Sequence, residues 1–122
     1  MCDVNGLKYV NDTYGHKAGD GYIRKACHMI CTFFDHSPVY RIGGDEFVVI
    51  LSGNDYENRE EIMQSLHSCS AAHIPTGEAV VAAGMADYSP GKAQALPAVF
   101  EQADARMYEN KKELKALGAR TR

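Results

Sequence analysis

Two adjacent carboxylates that follow two glycines are the strongest candidates for chemistry in the chain. Asp45 and Glu46 come directly after Gly43 and Gly44, within an otherwise strand-like segment over residues 41–50. Neighbouring carboxylates repel each other unless a cation or solvent screens them, and glycine lets a ligand approach the backbone closely. A hard cation such as Mg²⁺ suits such a turn. The alternative is an acidic, solvent-exposed hairpin, and the motif alone does not separate the two.

A third carboxylate, Asp3, lies at the predicted end of a short strand near the amino terminus. If this strand and the hairpin share a sheet, Asp3 and Asp45 can converge, with Glu46 beside them. Such a pocket would take one or two Mg²⁺ ions, which favour carboxylates, backbone carbonyls and phosphate oxygens. Paired metals of this kind serve phosphoryl and nucleotidyl transfer. The alternative for Asp3 is a polar residue that only forms a turn.

The elements that must position these acids follow from the hydrophobic pattern. The pattern predicts strands at residues 1–4, 39–42, 47–51 and 79–85, and helices at residues 21–34, 56–72 and 96–114. A tight turn at the two glycines would join the middle strands into a hairpin. Residues 9–19 predict a short helical turn plus loop, and residues 88–91 a second loop. The order predicts an α/β (α+β) fold, with helices packed on a mainly antiparallel or mixed sheet.

Composition narrows the classes of function. The chain has 122 residues, 45% of them hydrophobic, and fits one domain with a single core. It contains no apolar run near the roughly 18 residues of a membrane span and no signal region, so we expect a cytoplasmic domain without membrane contact. The net charge of −3 offers no basic surface for nucleic acid. A polyanionic ligand would need metal ions and a few local cations.

The four cysteines do not predict a metal or disulfide framework. Cys2, Cys27, Cys31 and Cys69 have spacings unlike a zinc knuckle or a small secreted domain. Cys27 and Cys31 are one helical turn apart, but His28 between them points about 100° away from their face. We therefore interpret the cysteines as buried free thiols.

Three blocks of the sequence, taken in order, carry a family pattern. They are residues 3–20 (DVNGLKYVNDTYGHKAGD), residues 43–47 (GGDEF) and residues 103–111, from Ala103 and Asp104 through Met107 and Tyr108 to Lys111. Together they closely resemble the GGDEF family of diguanylate cyclases over nearly the whole chain. The resemblance implies a fold like the polymerase palm and the class III nucleotide cyclases. It also implies a reaction in which two GTP molecules condense to cyclic di-GMP and release two pyrophosphates.

The resemblance assigns roles to the acids. It implies that Asp3 and Asp45 hold two Mg²⁺ ions per active site, which Mn²⁺ can replace, and that the Val4 carbonyl lies beside them. It implies that Glu46 is a metal ligand or a base. Such a group is needed because the ribose 3′-hydroxyl is a poor nucleophile at neutral pH until it loses its proton to attack the α-phosphate.

The resemblance also implies phosphate contacts in the first and last blocks. Backbone N–H groups of Gly6 and Leu7, together with Lys8, would hold the phosphates. Lys111 matches the family's phosphate-binding lysine, and Lys115 stands where the family commonly has arginine. Because lysine cannot make the bidentate contact of arginine, we expect weaker triphosphate binding. Alternatively, these lysines only complement the dipole at a helix C-terminus.

Guanine recognition is implied for Asn11 and Asp20. An amide donor and a carboxylate acceptor complement the O6, N1–H and N2–H groups of guanine, whereas adenine would leave both unpaired at a cost of about 1–3 kcal/mol each. The alternatives are a loop asparagine and a helix N-cap aspartate. His16 is expected to support the loop through a hydrogen bond. Gly43 and Gly44 would leave room for the nucleotide.

Two departures from the family pattern shape further expectations. The family's Arg-x-x-Asp product-binding pair is replaced by Phe34 and Ser37, so we expect no feedback inhibition by cyclic di-GMP through that pair. The family's N-terminal amphipathic helix does not precede Met1. We therefore interpret residues 1–122 as a single GGDEF domain that lacks this helix and the start of its first strand.

The implied partners are GTP and a second copy of the chain. Each copy would bind one GTP, so two copies must face each other in at least a transient homodimer. Full-length proteins of this type usually add sensory domains, and a membrane can tether them. The alternative function is a GGDEF module that binds GTP or a partner without turnover and regulates a neighbouring domain. The enzyme is favoured by the intact site residues, which are Asp3, Asn11, Asp20, Asp45, Glu46 and Lys111.

Overall fold

Residues 1–88 and 95–120, which the computed structural model describes, form a layer of strands with helices packed against it. The strands are β1 (Cys2–Asn5), β2 (Val39–Arg41), β3 (Glu46–Val49) and β4 (Val80–Ala83). The helices are α1 (Leu7–Tyr14), α2 (His16–Phe33), α3 (Gly53–Glu57), α4 (Arg59–His73) and α5 (Leu96–Ala116). The strands pair in the order β2-β3-β1-β4, and each pairing is antiparallel. The predicted fold class is confirmed.

The strand that carries Asp3 lies inside the sheet and is buried along its length. Side chains of a strand alternate between faces, and Cys2 and Val4 enter the main hydrophobic core. Asp3 and Asn5 therefore point to the opposite face, where α5 packs. This alternation places a carboxylate on a covered face of the sheet rather than in solvent.

The sheet separates two apolar clusters. The main cluster contains side chains of α2 and α4 together with Cys2, Val4 and Phe47 of the sheet, and the amphipathic stripe predicted for α2 is buried in it. The second cluster lies under α5 and includes Met107 and Leu114. Because successive residues of β4 enter different clusters, β4 is buried on both faces, as its small apolar residues predicted.

The segment over residues 9–19 differs from the prediction. Instead of a helical turn and a loop, α1 continues to Tyr14 and α2 begins at His16. Gly15 alone joins the two helices, with a φ of 92° that glycine adopts without strain. No residue of α1 is fully buried, and its residues 11–13 (Asn, Asp, Thr) are types that also favour loops. Asp20 lies inside α2 and is not its N-cap, which corrects that alternative.

The helix predicted over residues 56–72 is also divided, because α3 ends before Asn58 and α4 starts after it. The buried carboxylate of Asp55 accepts hydrogen bonds from His36 N at 2.9 Å and from Ser37 Oγ at 2.7 Å. These bonds attach α3 to the turn that follows α2. The loop predicted at residues 88–91 falls, after Tyr88, outside the described residues.

The outer edge of β4 points away from β1. Met1 and Gly84 exchange two backbone hydrogen bonds of 3.0 Å each. In an antiparallel pair such bonded positions alternate, so the N–H and C=O groups of Val81 and Ala83 face the open side of β4. Unless other groups bond them, these four groups would form an exposed strand edge.

Helix side chains bond all four of these groups. Ser70 Oγ donates to Val81 O at 2.9 Å and accepts from Val81 N at 3.0 Å. Asn110 Oδ1 accepts from Ala83 N at 3.0 Å, and His67 Nε2–H donates to Ala83 O at 3.1 Å. Ser70 is fully buried in α4, so its two bonds are shielded from water. The β4 edge is therefore closed by side chains rather than by another strand.

Replacing Ser70 with alanine is expected to destabilise the fold. The change leaves a buried N–H and a buried C=O of Val81 without partners, at a cost of about 1–3 kcal/mol for each group. Urea unfolding followed by circular dichroism measures the change. Ser68→Ala, on the exposed side of the same helix, is the matched control and should unfold like the wild type. Equal midpoints for the two variants would contradict the assigned role of Ser70.

Candidate active site

The register of β1 and β3 brings Asp3 to the hairpin. Asp3 lies directly across from Glu46, and such partners place their Cβ atoms about 4.5–5.5 Å apart on one face of the sheet. At the next position, Val4 N–H donates to Asp45 O at 2.8 Å. The N–H and C=O of a strand residue point to the same side, so the Val4 carbonyl also faces the hairpin. The structure therefore brings these four residues together.

The connection between β2 and β3 is longer than a two-residue turn, so the prediction of a tight turn at the two glycines was wrong. Residues 42–45 connect β2 to β3. The Arg41 guanidinium donates to the carbonyls of Gly43 at 3.1 Å and Gly44 at 2.6 Å. These bonds fix the tip beside Asp45. Sequence reasoning missed Arg41, although a long cationic side chain two residues before the paired glycines was a usable signal.

Asp3 is a buried carboxylate with one bonded oxygen. It is 8% exposed, and Lys111 Nζ of α5 donates to its Oδ2 at 3.0 Å. Within the described residues, its Oδ1 has no hydrogen-bond partner and is shielded from solvent. An unsatisfied buried carboxylate oxygen is costly. Oδ1 is thus an acceptor available to a cation.

Charges of both signs lie near Asp3 and act on its pKa in opposite directions. Burial raises the pKa of Asp3 above its usual range, and the hydrogen bond and charge of Lys111 oppose this effect. The negative charges of Asp45 and Glu46 raise the same pKa further. A divalent cation beside these three acids would favour their ionised forms.

The donor set fits Mg²⁺ that binds together with a nucleotide. Across residues 1–88 and 95–120, no three side chains of His, Cys, Asp or Glu are arranged to hold a metal ion together. Mg²⁺, however, commonly takes one or two carboxylates and completes its shell with water and substrate phosphates. Asp3 Oδ1, a hairpin carboxylate and the Val4 carbonyl match that pattern. All four cysteines are free thiols, but the prediction that they are buried holds only for Cys2, because Cys27 and Cys69 are partly exposed and Cys31 is exposed.

The N-terminus of α1 adds anion-binding groups next to Asp3. Gly6 turns the chain from β1 into α1 with a φ of 83°, and the first bond into the helix is Val10 N–H to Gly6 O at 3.0 Å. The N–H groups of Leu7 and Lys8 therefore have no partner within the helix. Such groups attract phosphate, and the Lys8 side chain beside them is exposed.

The two candidate lysines of α5 have different surroundings. Lys111 is partly buried and paired with Asp3, so its ammonium group already lies at the acids. Lys115 lies one turn further along, in the exposed last turn of α5. Only Lys111 is in contact with the acidic cluster.

Asn11 lies against the helix turn that carries Asp20, where α1 packs on α2. The Asn11 carboxamide occupies the space in which a side chain of Gly19 would lie, and Gly19 directly precedes Asp20. The Asp20 side chain is exposed at this position. Asn11 belongs to α1, so the loop alternative for it is wrong. His16 is the exposed first residue of α2, so the loop that it was expected to support is absent there.

The residues that stand at the positions of the family's product-binding pair make contacts that stabilise the fold. Phe34 is buried in the main core, and the Ser37 hydroxyl bonds Asp55. Neither residue presents a charge to solvent.

Comparisons with known proteins agree with this geometry. The family model described as diguanylate cyclase, GGDEF domain, matches residues 1–116. The solved GGDEF domain of DgcB from Caulobacter crescentus, in complex with c-di-GMP, is 26% identical and has a TM-score of 0.72, covering 99% of this chain and 72% of that chain. The active GGEEF domain of a diguanylate cyclase from Vibrio cholerae shares the fold, with a TM-score of 0.74 at 20% identity over 97% of this chain and 75% of that one.

Relatives found by sequence are longer proteins. An uncharacterized membrane protein from Staphylococcus aureus (strain USA300) is 26% identical over 111 residues, which are 85% of this chain and 31% of that protein. The chain thus spans 31% of the length of the curated relatives it matches first. In the part of the chain that is described, no helix has the length and apolar character needed to cross a bilayer. From the match over residues 1–116 and the shared fold, the chain belongs to the GGDEF domain family.

Proposed function

We propose that this chain is a diguanylate cyclase domain that condenses two GTP molecules into cyclic di-GMP and two pyrophosphates. One observation carries the proposal. A buried carboxylate, Asp3, has an oxygen without a partner among the described residues and lies opposite Glu46 and against Lys111. This arrangement of acids and a cation suits metal-assisted transfer at a phosphate.

The chain's own groups would orient GTP between the acids and the first two helices. The N–H groups of Gly6 and Leu7, with Lys8, would hold the β- and γ-phosphates, because free amides at a helix N-terminus attract anions. Lys111 would move from Asp3 to the phosphates when a metal ion takes its place. Lys115 would add a second charge at longer range.

The base would lie against α1 and α2. Asn11 would donate its amide hydrogen to guanine O6, and Asp20 would accept hydrogen bonds from N1–H and N2–H. Adenine presents a donor and an acceptor in the reverse order, so each protein group would be left unpaired. Each loss costs about 1–3 kcal/mol, which is sufficient to select guanine.

In each of two transfer steps, the 3′-hydroxyl oxygen of one GTP would attack the α-phosphorus of the other. A new P–O bond forms while the bond to the β-phosphate breaks and pyrophosphate leaves. Bound Mg²⁺ would supply charge neutralisation at the phosphates and acidify the hydroxyl. Glu46 would accept the hydroxyl proton or help to hold the metal, and Asp3 and Asp45 would hold the Mg²⁺ that neutralises the α-phosphate for in-line attack.

Both hydroxyls must meet a phosphate of the other nucleotide, so two half-sites must face each other. A single chain supplies one set of acids and one base site. The proposal therefore includes a transient homodimer with one GTP in each copy. Sensory domains in a longer protein would control how often two copies meet.

A second candidate is a module that binds GTP without turnover and regulates a neighbouring domain. The observation that favours it is the ion pair between Lys111 and Asp3, together with the lack of three convergent acids in the described residues. In this arrangement the domain would hold the phosphates through α1 while Lys111, rather than a metal ion, balances the charge of Asp3.

Incubation of the 122-residue chain with GTP and Mg²⁺ is expected to yield cyclic di-GMP, detected by chromatography and mass spectrometry. Glu46→Gln should reduce the rate by about 10²-fold or more, because it removes a proton acceptor and a metal ligand. Glu101→Gln, an exposed site on α5, is the matched control and should retain activity. A longer protein that carries this chain should be assayed in parallel. GTP binding without product in both proteins would support the regulatory module and refute the cyclase.

A further inference from the structure

We infer that Gly19 is a positioning residue for guanine recognition: its missing side chain makes the space in which α2 holds the Asn11 carboxamide beside Asp20. The inference rests on the proposed function. It assigns a role in nucleotide selectivity to a residue that cannot itself contact the base through a side chain.

The contact between the two helices carries the inference. Gly19 is buried in the first part of α2, where α1 packs against it. A Cβ atom at this position would overlap Asn11 Oδ1, would lie 2.8 Å from Asn11 Cγ, and would lie 3.5 Å from Asn11 Nδ2. All three atoms belong to one side chain. A substituent at position 19 would therefore displace the Asn11 carboxamide rather than the backbone of α1.

Glycine at this position is otherwise unfavourable. Inside a helix it loses more conformational freedom than alanine and weakens the helix. α2 contains a second internal glycine, Gly21, at which an added Cβ would meet no atom within 4 Å. The two residues carry the same helical penalty, but only Gly19 is in contact with a candidate substrate-binding group. Gly21 is therefore a matched control for the same substitution.

The Gly19→Ala variant should lose the part of base recognition that depends on Asn11. The displaced carboxamide would no longer reach guanine O6, while Asp20 keeps its place on α2. Affinity for GTP is expected to fall about 10- to 100-fold. Affinity for ATP, which gains nothing from Asn11, should change little, so the ratio of the two affinities should fall with it. Gly21→Ala should keep the wild-type ratio.

Calorimetric titration of the 122-residue chain with GTP and with ATP, in the presence of Mg²⁺, measures these affinities. If Gly19 acts through Asn11, the Asn11→Ala/Gly19→Ala double variant should bind GTP no more weakly than Asn11→Ala alone. An unchanged ratio in Gly19→Ala, or a further loss in the double variant, would overturn the inference. Failure of the wild-type chain to prefer GTP over ATP would instead refute guanine binding, which belongs to the proposed function.

Thermal unfolding without nucleotide tests the contact itself. In the Asn11→Ala background, Gly19→Ala should raise the Tm by about 2–6 °C through helix propensity alone, as Gly21→Ala should in the wild type. In the wild-type background, the displaced carboxamide should cancel or reverse that rise. Equal effects of Gly19→Ala in both backgrounds would show that no such contact exists. This comparison also decides the question if Gly19→Ala alone folds poorly.

Discussion

Replacing Asp3 with asparagine is expected to abolish formation of cyclic di-GMP while leaving the fold as stable as the wild type or more so at neutral pH. The loss of activity follows from removal of a carboxylate that is proposed to hold Mg²⁺ and that lies opposite Glu46, and we expect it to exceed about 10²-fold. The stability follows from the cost of holding a carboxylate charge in a buried position. Function and stability are opposed at this residue.

The raised pKa of Asp3 determines how the stability difference between Asp3→Asn and the wild type changes with pH. Burial raises the pKa of Asp3 in the folded chain above its value in the unfolded chain. Its contribution to stability is therefore fully present below the unfolded-state pKa and is lost as the pH rises through the folded-state pKa. Asparagine cannot ionise, so Asp3→Asn should gain stability relative to the wild type as the pH rises from about 4 to 7. Loss of the Lys111 ion pair offsets part of this gain in stability. The offset is small, because the Lys111 ammonium group can extend into solvent.

Urea unfolding of both proteins between about pH 4 and pH 8, with a cyclase assay at neutral pH, measures the two effects. Asp12→Asn, an exposed position on α1, is the control and should retain both activity and stability. Substantial cyclase activity in Asp3→Asn would exclude Asp3 as a metal ligand. A large loss of stability at pH 7 would show that the Lys111 pair outweighs the cost of the buried charge.

Replacing Gly84 with alanine is expected to prevent stable folding. A Cβ atom at this position would overlap backbone atoms of α5, including Met107 N and Arg106 C, and would lie 2.6 Å from Ala103 O. Backbone atoms inside a helix cannot yield singly, so the whole helix must move away from β4. We expect a loss of about 3 kcal/mol or more, which is a large fraction of the stability of a small domain.

Far-ultraviolet circular dichroism and thermal unfolding will show this loss as a lowered Tm or as absent helical signal at 25 °C. Gly21→Ala adds the same methyl group where space is open and should fold normally. A Tm for Gly84→Ala within a few degrees of the wild type would mean that α5 does not pack this closely on β4. Because α5 carries Lys111, its displacement would also separate Lys111 from Asp3.

Local pattern predicted the elements whose burial is periodic. The apolar stripe of α2 and the small apolar residues of β4 identified both correctly, because burial of one or two faces leaves a direct mark on composition. The full length of α1 and the first turn of α2 were not predicted, because α1 buries no residue completely and residues 11–13 (Asn, Asp, Thr) also favour loops. Gly15, which has a positive φ, joins α1 to α2 in place of the longer loop that was predicted.

The candidate site was likewise predictable from the sequence only in part. Motifs indicated the acids of the hairpin and of β1, and the pairing of β1 with β3 places Asp3 opposite Glu46. Contacts between side chains of different elements could not be predicted from the sequence. The Lys111 ammonium group meets Asp3 from a helix at the other end of the chain, and Gly19 gains its role only because α1 crosses it. A pattern along one element cannot reveal which residue of another element it will touch.

The closure of the β4 edge by Ser70, Asn110 and His67 has a consequence for self-association. Among the described residues β2 is the other outer strand of the sheet, so strand pairing between copies would use that side. A unit that can add a neighbour on one side only forms a pair and then stops, whereas fibre growth requires two pairing sides on each unit. The described sheet therefore favours the pairing of two copies over growth of a fibre by edge-to-edge strand addition.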